Sequence, residues 1–370
     1  MELINATKMV AGYTMGLRPD GRELIVVVVK GTFTIPKAGE EPQLAAKQLP
    51  LVDADVFTGE PGFSATIHES DYPPFKPRCD VLLNGSAYAP GGKPVERVTV
   101  SLRVGSMTKS FDVVGKSKWK SGLLTYTMSA AEPFTKMPIS YDNAFGGVDK
   151  ANPEKLHFYP TNHAGVGYHA DTSAKAMDGK PLPNTVEKGK TISSPDGKYK
   201  PMAFGAVGRA WQPRPKWAGT YDQNWLNDVS PFLPSDFDDR YFQSAPEEQQ
   251  IPYPQGGERI ELVNLTPAGK TTFTLPRHEM PVVFIRRGDQ REEKHAIIDT
   301  ITIEPDEERF SVCWRTHMPL RRSIFEVPQA IIGRASRGWW RARDLGKQYF
   351  PSLHELIASK KQEQIETAAT

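Results

Sequence analysis

From about Pro133 to Gly257 the chain is crowded with proline, glycine, asparagine and aromatic residues, and hydrophobic periodicity is weak. Proline lacks an N–H and crowds the preceding turn, so such text resists both helix interiors and central strands. It is not low-complexity text either. Phe134, Tyr141, Phe145, Trp211, Trp217, Trp225, Phe232 and Phe242 bring more rings than a disordered linker carries. The segment therefore reads as long ordered loops, and ordered loops of this length usually have a task.

The flanks read as strands. Tyr13, Met15 and Leu17 alternate with small and polar residues. Arg18-Pro19-Asp20-Gly21 marks a turn, and β-branched Ile25 to Val29 follows. Arg78 to Tyr88 is a further strand candidate. Val98, Val100, Leu102 and Val104 alternate with Thr99, Ser101 and Arg103, which predicts a half-buried strand. Gly105-Ser106 suits a type II′ turn, with Phe111 and Val113 on the returning strand. Strand text resumes near Glu258 and continues through Phe273, Val282 to Ile285, Ile301 and Ile303, and Phe310, Val312 and Trp314. This is an antiparallel meander pattern. Asp344 to Ser359 has helical spacing interrupted by Pro351, and Gln362 to Thr370 looks frayed.

The fold expected is mainly β: an antiparallel, sandwich-like scaffold with long irregular Pro/Gly/aromatic-rich loops and a short C-terminal helical segment. A β-rich domain over 1–320 divides into strand-rich 1–130, irregular 131–257 and strand-rich 258–318. A basic, partly helical extension covers 321–370.

With 38% apolar and 24% charged residues, the 370-residue chain can bury a sizeable core. A net charge of +2 supplies no general attraction for nucleic acid or anionic membranes. Cys79 and Cys313 lie too far apart in sequence for a metal or redox motif, and read as two buried thiols. The N-terminal residues lack a secretory pattern, and the longest apolar run, Leu24 to Val29, is too short to span a bilayer. The expected location is the cytoplasm.

Searches for chemistry fail one by one. Gly189-Lys190-Thr191 ends like a phosphate loop, but Asn184 stands where its first glycine belongs. In Gly333 to Gly338 the serine falls one place late for a hydrolase elbow. His157, His163 and His169 recur every six residues, which suits neither a helical zinc pair nor a finger. Asp222, Asp228, Asp236, Asp238 and Asp239 lie among rings, as in a glycosidase, yet aspartate is also the common turn and cap residue. No catalytic residue, cofactor or metal is expected. The run Arg334, Arg337, Trp339, Trp340, Arg341 and Arg343 suits either a buried helix face or docking to an acidic protein.

One ordered series of motifs stands out: Pro133-Phe134, Met137-Pro138, Tyr141-Asp142-Asn143-Ala144-Phe145-Gly146-Gly147, Gly165-Val166-Gly167, Leu182-Pro183-Asn184, Trp211-Gln212-Pro213-Arg214, Ala218-Gly219-Thr220-Tyr221-Asp222, Trp225, Phe237-Asp238, Tyr241-Phe242, Ala245-Pro246 and Leu275-Pro276. From about Val10 to about Arg315 the chain resembles the bacterial family named only as domain of unknown function 2169. Asn162-His163 departs from the Asn-Pro expected before the glycines. Members resemble accessory proteins encoded beside type VI secretion effectors. The resemblance implies a non-enzymatic adaptor or chaperone that holds an effector, often with a PAAR-type spike-tip domain, and helps load it onto the VgrG spike. It offers no catalytic residues. Two other readings stand beside it: a carbohydrate-binding or carbohydrate-active protein, and a structural piece of the secretion apparatus.

The candidate partner-binding residues are Tyr141, Phe145, Trp217, Tyr221 and Trp225 on the loops, with Trp339, Trp340 and Arg341 near the C-terminus. Rigid rings bury large area at low entropy cost. More than half of the loop rings are expected to serve the core instead.

Overall fold

The computed structural model describes residues 1–370 apart from 19, 38, 123–124, 151–153, 171, 351, 353, 358 and 360–370. Pro19, Pro351, Leu353 and the stretch 362–370, on which some expectations fell, lie outside the described residues.

The clearest local pattern folds as read. Arg97–Val104 and Met107–Val114 pair antiparallel, and Val104 faces Met107 across a two-residue turn. Gly105 takes φ +58°, as the first central residue of a type II′ turn must. Val98, Val100, Leu102 and Val104 are buried, whereas Arg97 and Arg103 are exposed.

Three larger sheets make the body, and the protein is mainly β. The first has six strands in the order Gln250–Ile251, Cys79–Leu83, Ile297–Glu304, Arg309–Pro319, Glu23–Thr34, Val10–Leu17. All its pairs are antiparallel except Cys79–Leu83 with Ile297–Glu304. The second, fully antiparallel, runs Thr185–Glu187, Met107–Val114, Arg97–Val104, Arg259–Val263, Lys270–Thr274. The third runs Glu2–Asn5, Gln329–Ile332, Pro281–Arg286, Gln290–His295, and its first pair is parallel. Strands from the first and last thirds of the chain thus share each of the three sheets.

All three sheets feed one continuous core. Phe310 of the six-stranded sheet stacks on Phe33 at 5.4 Å and meets Phe273 of the five-stranded sheet at 5.1 Å. Strand Glu23–Thr34 explains its own composition. Ile25, Val27 and Val29 enter that core, while Leu24, Val26 and Val28 pack on the other face against Leu51 and Tyr72. A strand buried on both faces reads as a continuous apolar run rather than an alternation.

Three details go beyond the expectations. In Val10–Leu17, Tyr13 and Met15 are exposed at the sheet edge although they pair with Val27 and Ile25 on the core face, and Gly12 and Gly16 lie on the opposite face. A side chain at Gly12 would start 2.5 Å from the Tyr72 hydroxyl, and one at Gly16 would start 2.9 Å from Pro74, so only glycine admits that covering segment. A helix over Arg337–Asp344 precedes the stretch that the spacing marked, of which residues 354–357 and 359 are helical. Ser336 caps its start, and Gly346 at φ +60° ends it by donating to the Arg343 carbonyl. Finally, Gln329–Ile332 lies beyond the expected boundary at 320, yet pairs with Glu2–Asn5 and belongs to the body. Among the described residues no helix is long and apolar enough to cross a membrane.

Candidate functional site

The irregular middle third is held together by backbone packed on backbone. Phe145-Gly146 pairs in parallel with Val166-Gly167, which joins two of the sequence motifs. Gly146 and Gly147 adopt φ +150° and +109°, and a Cβ on either would collide with the Asn162 or Gly165 carbonyl. Asn162, fully buried, donates its amide to the carbonyls of Tyr141 (2.9 Å) and Phe145 (3.1 Å). The residue following it, His163, stacks on Phe158 at 4.9 Å where the family pattern would place proline.

Two buried charges then fasten the later part of this segment to the scaffold. Asp80, with no solvent exposure, accepts from Lys76 Nζ (2.7 Å), Gln243 Nε2 (2.6 Å) and the backbone N–H groups of Ser244 (2.9 Å) and Ala245 (3.1 Å). Arg214 pairs with Glu69 and donates to the carbonyls of Val207 (2.6 Å) and Tyr241 (2.8 Å). A guanidinium serves here because its planar fork supplies several donors at fixed angles.

These fastenings leave two cavities separated by Pro213 and Pro246. One, of about 460 Å³, is walled by Tyr141, Tyr159, Tyr199 and Pro201, with Lys200 and Glu248 beside them. Under it Lys109 is buried, donating to Ala203 O and Gln249 Oε1 at 2.6 Å each and lying 3.1 Å from Glu248. Burial pushes the Lys109 ammonium down to about 8 despite that carboxylate. Burial works to raise Glu248, but Lys109 and Lys200 hold it down at about 2. The other cavity, of about 670 Å³, is walled by Trp217 and the cations Arg78, Lys216 and Arg240. Lys216 and Arg240 sit 4.9 and 5.1 Å from the Trp217 ring centre, within cation–π range.

Shortly after Trp217 in the chain, residues 221–232 form a short, largely exposed knob, with Phe232 beside Gly21. Asp222 caps helix Gln223–Asp228 by accepting from Trp225 N at 2.8 Å. Trp225 Nε1 donates to the Phe232 carbonyl at 2.9 Å, and Tyr221 meets the Trp225 ring edge-on at 4.7 Å. The result leaves Tyr221, Leu226 and Phe232 exposed at 53%, 57% and 45%.

The expected anchors therefore separate. Tyr141 and Phe145 are core residues, not surface anchors: Tyr141 packs edge-on against Trp211 at 5.5 Å, and Phe145 lies between Tyr159 and Tyr199. Trp217 and Trp225 are half-buried, and Tyr221 is exposed. Trp339 and Trp340 are half-buried and meet edge-on at 5.0 Å. The Arg291 guanidinium lies 4.6 Å from the Trp340 ring, and Arg343 bridges to Asp289 at 2.7 Å. Those contacts dock the C-terminal helix on the Gln290–His295 hairpin and leave Arg341 exposed. The knob's Leu226 and Phe232 were not among the anchors. The available signal was the Asp222 cap, which starts a helix too short to bury both Trp225 and Leu226.

Of the aspartates, Asp222 and Asp238 cap turns and Asp236 binds both the N–H and hydroxyl of Thr220. Among the described residues no group of three or more His, Cys, Asp or Glu converges to hold a metal ion. No curated protein and no solved structure matches the chain. Residues 20–315 match the family described as "Uncharacterized protein conserved in bacteria (DUF2169)", and on that match, which covers the whole middle third and most strands of the sheets, the chain belongs to this bacterial family.

Proposed function

We propose that the protein is a non-enzymatic adaptor or chaperone that binds a type VI secretion effector, of the PAAR type, and assists its loading onto the VgrG spike. The client and the secretion role rest on the motif resemblance. The observation that supports protein binding is the knob. Tyr221, Leu226 and Phe232 stand exposed on a segment whose own fold is secured by the Asp222 cap and the Trp225–Phe232 bond. Apolar side chains held outward on a fixed support suit an interface centre, since little entropy is lost when a partner covers them. The Trp217 cavity adds cations that suit a polar rim. The carbohydrate reading is the weaker one, because Asp222, Asp236 and Asp238 are engaged in caps and turns.

The test is co-expression of the tagged protein with the products of its adjacent genes. A salt-resistant complex with a PAAR-type effector or spike protein is expected. Tyr221→Ala with Phe232→Ala should weaken that complex by roughly a hundredfold or more while leaving the melting temperature in place. Recovery of the protein alone, with soluble neighbours present, would overturn the reading.

A further inference from the structure

The outer strand of the six-stranded sheet is built without the usual protection of an edge. Val10–Leu17 is eight residues long, and contains no charge, no proline and no bulge. Among the described residues, no strand pairs with its outer side. Exposed edges are ordinarily blunted by lysine, proline or a bulge, because their free N–H and C=O groups recruit any extended chain. Here the edge instead displays Tyr13 and Met15, exposed at 37% and 39%.

We propose that this edge pairs antiparallel with the same edge of a second copy, about a two-fold axis through Thr14. The residue pattern favours a second copy over other strands. In that register Tyr13 of one copy faces Met15 of the other, twice, and Gly12 faces Gly16. The glycines thus lie opposite each other on the face that carries Val28 and Leu24, and rings meet thioethers on the face that carries Val27 and Ile25. Every residue of the paired stretch Ala11 to Leu17 is uncharged, so no like charges oppose the pairing there. The pairing closes on itself, since the opposite edge of the sheet is the two-residue strand Gln250–Ile251. The ladder would run about 27 Å. That is a small interface, of the class that exchanges at micromolar concentration rather than an obligate one.

Sedimentation equilibrium of the full chain at roughly 1–100 µM tests this. The wild type is expected to dimerise. Tyr13→Lys with Met15→Lys sets like charges against each other twice and should weaken the dimer roughly tenfold or more. Tyr13→Lys with Met15→Glu sets opposite charges in the same places and should restore it. Both side chains are exposed, so thermal unfolding of the variants should match the wild type. A wild type that stays monomeric, or a dimer indifferent to the two lysines, overturns the proposal. A dimer broken by the lysines and not rescued by the charge swap overturns the register through Thr14.

Discussion

Asp80 and Lys109 show what buried charge does in this molecule. Asp80 gathers donors from Lys76, Gln243, Ser244 and Ala245, so removing its carboxylate strands an ammonium and two backbone N–H groups out of water. Asp80→Ala is expected to cost about 3–5 kcal/mol in urea unfolding. Adding Lys76→Met should recover only part of that loss, because the backbone groups stay unpaired. Lys109 behaves oppositely. Its folded value of about 8 lies below the ordinary lysine range. Between those values the unfolded chain binds the extra proton, so stability rises with pH. Relative to Lys109→Met, the wild type should gain about 1–3 kcal/mol between pH 8 and 10. Its neighbour Glu248 works at the other end of the scale. Its folded value of about 2 is depressed, so its stabilisation is present above the ordinary glutamate range and fades as pH falls toward 2. None of this was legible in the sequence, since Gln243 and Lys109's partner Glu248 lie far along the chain and no local pattern links them.

At the scale of elements, the Gly146–Gly147 and Gly165–Gly167 crossing is the least tolerant part of the fold. Gly146→Ala would drive a methyl into the Asn162 carbonyl in a backbone region that side chains avoid, whereas Gly39→Ala, with φ +86° and open space around it, meets only the conformational strain. Thermal unfolding should therefore show Gly39→Ala costing about 1–2 kcal/mol and Gly146→Ala far more, to the point of failing to fold. These motifs were visible as text, but their role was not. They were read beside loop rings offered to a partner, and the structure shows Tyr141 and Phe145 closing the knot from inside. The hairpin at Gly105 was legible because alternation and turn chemistry are local signals. Val10–Leu17 was legible as a strand, but the reason for its glycines, Tyr72 and Pro74, arrives from elsewhere in the chain. The earlier helix, Arg337–Asp344, was less legible for a related cause. Trp339 and Trp340 are its packing residues, and they pack against Arg291 and each other rather than on an apolar stripe.

At the scale of the whole molecule, early and late strands share each of the three larger sheets. Strand Glu23–Thr34 takes Arg309–Pro319 as its inner neighbour, with Leu24 opposite Pro319. This arrangement reaches back into biosynthesis. A ribosome adding roughly 5–20 residues per second needs on the order of 15–60 s to deliver Pro319 after Leu24. Throughout that interval the Leu24 to Val29 run, destined for burial on both faces, has neither its inner partner strand nor most of its covering. A chain written this way asks the cell to shelter its most adhesive segment until Pro319 has been delivered.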